Sequence, residues 1–293
     1  MKYIYTFLLV LLLGCGSETS QIGPSTISKN EPIQLNITVL LDLSDRIDPN
    51  THPSQPQHFE KDIEIIKYLA KMFTDDMKSK GTFMAKGKLK VIFSPKPADP
   101  NINVLAEKLN VDLSKVSVQQ KKVIYENIVK DFGQNATNIY KTTINNQKWH
   151  GSDIWRFFKN DVKDFCINSD SSYRNILVIL TDGYIYHKDS KDKIDNRYAY
   201  LLSQNIDQFR NKADWESKFD NLDFGLISKR SDLNNLEVLV LEVNPYEGNA
   251  NDEDIIRKTL SKWFNEMNVR RFAIYNSDLS SYTKQRIEQF INE

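Results

Sequence analysis

The 293-residue chain has only two cysteines, Cys15 and Cys166, so a scaffold built on several disulfides is excluded. It also has no net charge, since Lys plus Arg and Asp plus Glu number 39 each. A nucleic-acid binder usually carries a basic excess, and that class gains no support. Neither GxxxxGK[ST] nor GxGxxG occurs, which removes the usual nucleotide-binding loops. The four histidines, His52, His58, His150 and His187, fall in no HExxH pattern and no zinc spacing. There is no GxSxG elbow and no internal repeat. What the chain does have is a composition of 40% hydrophobic and 27% charged residues, enough for a sizeable core in one large domain or two small ones.

The first fifteen residues, MKYIYTFLLVLLLGC, carry one basic residue, Lys2, and then an apolar stretch from Ile4 to Leu13. That stretch is too short to span a bilayer as a mature helix and fits an export signal. Leu12-Leu13-Gly14-Cys15 resembles a bacterial lipobox. The resemblance implies removal of residues 1–14, lipidation of Cys15 and anchoring in the bacterial cell envelope. Gly16, where an Asp would signal inner-membrane retention, tilts the expectation to the outer membrane. Residues 15–33, rich in Ser, Thr, Gly and Pro, read as a flexible tether. Cys166 is then the one thiol left, and no internal disulfide is available. It follows Phe165 in a helical pattern and is expected to be buried.

From residue 34 onward strands and helices alternate. The runs Ile37–Leu41 (ITVLL) and Ile176–Leu180 (ILVIL) are continuously apolar, the sign of strands covered on both faces. Leu236–Val243 is a third strand, Lys88–Phe93 has the alternating charges of an edge, and Arg271–Tyr275 is a short late strand. Helical periodicity covers Phe59–Lys80, Val118–Phe132, Ser152–Phe165, Glu253–Met267 and the tail, with Ser281 as its cap. This order predicts an α/β fold: a central, mostly parallel, Rossmann-like sheet flanked by helices, with one antiparallel edge strand. Insertions near 94–116 and 184–235 interrupt the alternation. The second is aromatic, with Tyr184, Tyr186, Tyr198, Tyr200 and Trp215. It reads equally as a specificity element or as a helical excursion with solvated charges.

Ligands of such sheets bind beyond the carboxyl ends of the strands. Three polar segments fall there: Asp42-Leu43-Ser44-Asp45-Arg46, Gly151-Ser152-Asp153 and Thr181-Asp182-Gly183. Each alone has a bland reading, as a turn or, for Ser152, a helix N-cap. In this order the chain from about residue 34 resembles a von Willebrand factor type A domain with a metal ion-dependent adhesion site. The resemblance implies Mg²⁺ or Mn²⁺ held by Asp42, Ser44, Ser152 and Asp182. Asp45, Asp153 and Thr181 would stand behind them or substitute. It also implies a protein or polymer partner whose acidic group completes the metal's shell. The pattern departs from the family at Arg46, where a serine is expected. Arginine cannot ligate a cation, and pairing with Asp42 or Asp182 would put its guanidinium in the metal's place. Three functions follow as expectations. The first is an envelope-anchored binding module, and the second a metal-free scaffold with Arg46 in place of the ion. The third is a metal-dependent hydrolase, for which His150 near Ser152 and His187 near Asp182 are the available imidazoles. No nucleotide or nucleic-acid partner is expected.

Overall fold

The two continuously apolar runs lie side by side at the centre of the sheet, where both of their faces are removed from water. The computed structural model describes residues 31–149, 151–245 and 249–293. The chain divides into two units, Met1–Glu31 and Pro32–Glu293, and the second is described here. The expected leader, Cys15 and the tether to Asn30 lie outside the described residues. Among the described residues no helix is long and apolar enough to cross a membrane.

In chain order the elements are β1 Gln34–Leu41, α1 His58–Ser79, β2 Lys88–Phe93, α2 Pro100–Glu107, β3 Asn110–Asp112 and α3 Val118–Asn146. Next come α4 Ile154–Arg156, a π-helical turn Phe157–Asp161, α5 Val162–Cys166 and β4 Tyr173–Leu180. The second insertion holds β5 Lys193–Ile194, β6 Arg197–Tyr198, α6 Ser203–Ile206, α7 Trp215–Asn221 and β7 Gly225–Leu226. The chain closes with β8 Leu236–Val243, α8 Asp252–Glu266, β9 Arg271–Asn276 and α9 Ser280–Asn292. The main sheet has six strands in the order β3-β2-β1-β4-β8-β9, and every pairing is parallel except β2 with β3. The predicted α/β class and its antiparallel edge are therefore present. The edge strand itself is β3, inside the first insertion; Lys88–Phe93, expected at the edge, lies one strand in. Three residues of β3 were too few to leave a periodic signal.

Two cores flank the sheet. Leu35, Ile37, Val39 and Leu41 project to one side, against Leu69 and Phe73 of α1, Phe132 and Ile139 of α3 and Ile287 of α9. Leu40, Leu177, Ile179, Val238 and Val240 project to the other, against Phe158, Trp263 and Phe264. Each such side chain, fully buried, contributes about 1.5–3 kcal/mol. Strand β1 is not apolar on both faces, however. Asn36 and Thr38 face the second layer, where they meet the carbonyls at the end of α5 that have no intrahelical donor. Asn36 Nδ2 donates to Cys166 O at 3.0 Å and to Asn175 Oδ1 at 2.7 Å, and Thr38 Oγ1 donates to Phe165 O at 3.4 Å. Cys166 is buried as expected, and burial pushes its thiol up to about 12.

Helix α3 runs on to Asn146, past the predicted end at Phe132, because Ala136, Ile139, Tyr140 and Thr143 continue its buried stripe. Ser281 does not cap the last helix: Leu279 holds the cap position and Ser281 lies within α9. The second insertion is neither a free loop nor a solvated excursion. Its three short strands form their own sheet, in the order β5-β6-β7. Phe209, Phe219 and Phe224 pack with ring centroids 4.9–5.6 Å apart. Arg210 clamps Asp252 at the start of α8 with two hydrogen bonds of 2.8 and 2.7 Å. Trp155 and Trp263 both donate to Ile227 O, at 2.8 and 3.2 Å.

Asn36→Ala removes the donor from two buried acceptors and is expected to lower the unfolding free energy by about 1–3 kcal/mol in urea titrations. Asn127→Ala, on the exposed face of α3, is the control and should stay within about 0.5 kcal/mol of the native chain.

Candidate functional site

The sheet changes winding direction at β1. From β1 the chain goes first to β2 on one side and later returns to β4 on the other. Such a switch point opens a crevice at the carboxyl ends of the two strands that part there. Leu41 and Leu180 are paired in register at the ends of β1 and β4, so Asp42 and Thr181-Asp182 emerge together. Thr181 Oγ1 donates to Asp42 Oδ2 at 2.8 Å, and Ser44 N donates to Asp42 Oδ1 at 2.9 Å. Asp182 Oδ1 accepts from Tyr184 N at 2.9 Å. Gly183 is at φ +99°, and a Cβ there would lie 2.7 Å from Ile256 Cγ2, so this turn needs glycine.

A single 3₁₀ turn, Asp45–Ile47, follows Ser44 and separates the next two side chains. Asp45 is turned to solvent, with His52 Nε2 at 3.9 Å from its Oδ2. Arg46 is turned inward and is only 3% exposed. Its guanidinium lies under the crevice. Nη2 donates to Asp62 Oδ2 at 2.5 Å and to Leu180 O at 3.1 Å, and Nε donates to Asp42 O at 3.3 Å. The nearest approach to the Asp42 carboxylate is 4.0 Å. The closest partner of Arg46 is therefore Asp62 on α1; Asp42, one of the two partners the sequence pattern suggests, is a looser second at 4.0 Å, and among the described residues no ion pair joins Arg46 to Asp182. Tyr140 on α3 completes the cluster by donating to Asp62 Oδ2 at 2.8 Å, while the fully buried Asp62 Oδ1 has no donor.

The sequence held a trace of Asp62. It sits at i, with Ile65, Ile66, Leu69 and Phe73 at i+3, i+4, i+7 and i+11, as a carboxylate on the apolar stripe of α1. A buried charge on such a stripe implies a buried partner. Tyr140 had no such trace, because the predicted helix stopped before it.

The third segment reaches the same end of the sheet. Asp153, not Ser152, is the N-cap of α4: its Oδ1 accepts from Arg156 N at 3.1 Å. Its Oδ2 accepts from Ser190 Oγ at 2.7 Å, and its N donates to Ser94 O at 2.9 Å. Ser152 forms an antiparallel bridge with Tyr186, its N donating to Tyr186 O at 2.9 Å. Gly151, at φ +77°, precedes it; a Cβ there would lie 2.3 Å from Tyr186 O. The Ser152 hydroxyl is buried and has no hydrogen-bond partner. Residues opposite each other in an antiparallel bridge share a face. Ser152 thus goes with Tyr186, while Gly151 and His187 lie on the other face, and the two do not form a nucleophile–base pair. His150 lies outside the described residues.

A polar cavity of about 310 Å³ opens beside Asp182, lined by Arg46, Thr51, His52, His58 and Asn244 among others. Burial and the neighbouring Asp42 push the Asp182 carboxyl up to about 7, against the pull of Arg46. Burial, then Arg46 and Lys61, pushes His58 down to about 4, so it is neutral at physiological pH. Burial works against the Arg46 charge, but Asp62 and Asp42 outweigh it and hold the guanidinium above its ordinary value.

No protein-family model, no curated protein and no solved structure matches this chain. Its site therefore has to be read from its own geometry.

Two outcomes test that geometry. Asp62→Ala removes the closest countercharge of the buried Arg46 and leaves only the Asp42 carboxylate, 4.0 Å away, so it should cost about 3 kcal/mol of stability. Adding Arg46→Met to it should recover part of that loss in a double-mutant cycle. The second outcome concerns pH. His58 binds its proton less readily folded (about 4) than unfolded (6.5). Its contribution is present above pH 6.5 and is lost as the pH falls toward 4. The native chain should lose stability over that window relative to His58→Gln, measured by urea unfolding at a series of pH values.

Proposed function

We propose that the chain is a binding module on a von Willebrand factor type A-like plan, in which Arg46 takes the place of the cation. The observation that carries this is the buried guanidinium at the switch point, bonded to carbonyls where β1 and β4 end and neutralised by Asp62. It supplies a fixed positive charge under Asp42 with no metal needed. Loops 42–46 and 181–183 are joined by the Thr181–Asp42 hydrogen bond, loop 151–153 is held by Tyr186, Ser94 and Ser190, and together they offer a rigid rim to a protein or polymer partner. The N-terminal resemblance to a lipobox supports a location outside the cytoplasm, tethered to the bacterial envelope, with the outer membrane favoured.

The residues do not fit a divalent ion as they stand. Both Asp42 oxygens already accept hydrogen bonds, and a full positive charge lies 4.0 Å from one of them. Among the described residues no three His, Cys, Asp or Glu side chains are grouped to hold a metal. One observation favours the second reading, an adhesion-type site for Mg²⁺ or Mn²⁺: the buried Ser152 hydroxyl lacks a partner. In that reading Ser44, Ser152, Asp42 and Asp182 hold the ion and an acidic group of the partner completes it. A hydrolase finds less support, since Ser152 and His187 face apart.

Titration calorimetry with Mg²⁺ and Mn²⁺ separates the two binding readings. The native chain is expected to give no saturable heat at millimolar ion, and Arg46→Ser is expected to create or strengthen binding. Saturable binding by the native chain, abolished in Asp42→Ala with Asp182→Ala, would establish the metal reading instead.

A further inference from the structure

A second cleft, of about 430 Å³, a volume in the range of small-molecule sites, is lined by Leu43, Gly151 and His187 among others and shares no lining residue with the cavity beside Asp182. Leu43, Pro97 and Ile102 give it an apolar floor, and Lys96 and Lys148 stand exposed at its rim. Two buried polar groups stand in its wall, His187 and Thr143, and the Thr143 hydroxyl is already spent on Ile139 O at 2.9 Å. Neither binding reading above uses this cleft, and the hydrolase reading draws on His187 alone.

The surroundings of His187 fix what its ring offers to the cleft. Nδ1 accepts from the backbone N–H of Asp189 at 3.3 Å and lies 3.4 Å from Asp153 Oδ2 and 3.8 Å from Asp189 Oδ2. With Nδ1 accepting from an amide, the neutral ring carries its proton on Nε2. In the charged ring Nδ1–H turns to the carboxylates and Nε2 carries a proton as well. In both states Nε2 is a donor, so the group it meets must be an acceptor. Two lysines at the rim add positive charge. The one acid in the lining, Asp99, is already engaged: Oδ1 accepts from Asn101 N at 2.8 Å as the cap of α2, and Oδ2 accepts from Asn146 Nδ2 at 3.0 Å.

We propose that this cleft is a binding site for a small organic oxyanion, a carboxylate or a phosphate ester on an apolar body. Its oxygens meet His187 Nε2 and the two lysines, and its apolar part lies on Leu43, Pro97 and Ile102. Asp153 is a positioning residue: held by Arg156 N and Ser190 Oγ, it presents a carboxylate to the Nδ1 side and sets the ring's orientation. The site shares the 151–153 loop with the sheet-top rim but needs neither a cation nor a partner.

The test is titration of the full chain, with its histidines isotope-labelled, against hexanoate, phenyl phosphate and the neutral hexanamide. Binding is read by calorimetry and by the imidazole resonances of His187. Hexanoate or phenyl phosphate should saturate and shift those resonances, with hexanamide weaker by about tenfold or more. Preference for hexanoate assigns an organic carboxylate, and preference for phenyl phosphate an organic phosphate. His187→Phe should abolish the binding. Lys148→Glu, an exposed change that leaves the core untouched, should weaken it by about tenfold. The proposal is overturned if neither anion saturates below about 10 mM, if hexanamide binds as tightly, or if Lys148→Glu leaves the affinity unchanged. No metal or partner enters these measurements, so the sheet-top reading stands or fails separately.

Discussion

The pairing of Arg46 with Asp62 holds the ligand-facing end of this protein together. It joins the loop after β1 to helix α1, and through Tyr140 to α3, in a volume from which water is excluded. A buried ion pair gains little over well-packed apolar side chains, because removing two charges from water costs nearly what their attraction returns. Its value here is in geometry. The guanidinium has donors in several directions, and it ties together two strand-end carbonyls and a helix carboxylate that packing alone would leave apart. One carbonyl, Leu180 O, is the last of β4 and the other, Asp42 O, is the first beyond β1, so the guanidinium sits where the sheet gives way to the rim.

The charge balance of the rim follows from that arrangement. Asp62 takes up most of the Arg46 charge, and Asp42 is stabilised by a hydroxyl and an amide. Asp182 is left with one backbone donor and no cation in contact. Its raised titration is the electrostatic sign of a carboxylate whose compensation is incomplete. Perturbed groups of this kind gather at sites that act on something, although structural ion networks perturb them too.

The rim and the second cleft share one short segment, Gly151–Asp153. That segment is fixed by the bridge to Tyr186, by the cap on α4 and by Ser94, and the π-helical turn Phe157–Asp161 follows it after the single turn of α4. π turns inside helices are common near functional sites because they re-aim a helix without breaking it. The second insertion contributes Tyr186, His187 and Ser190 to this region, and its later part packs against both α8 and the helix that starts at Ile154. Its aromatic residues are therefore divided between core and rim, which neither reading of the insertion from composition alone anticipated.

The sequence by itself determined the class of the fold and most of its elements. Burial on both faces requires continuous apolar runs, and a helix on a sheet requires an apolar stripe; both are local patterns, legible at Ile37–Leu41, Ile176–Leu180 and along α1. It also determined that Asp42 and Asp182 share one end of the sheet, since each directly follows a buried strand; Ser152 joined them only through the family resemblance. The tertiary structure decided the rest. The three-residue edge strand β3 exists only because β2 is there to pair with it. The extra turns of α3 exist because α1 covers them. Arg46 turned to Asp62, sixteen residues away on a helix, because a buried cation takes the carboxylate that packing brings to it, and no spacing in the sequence records that choice.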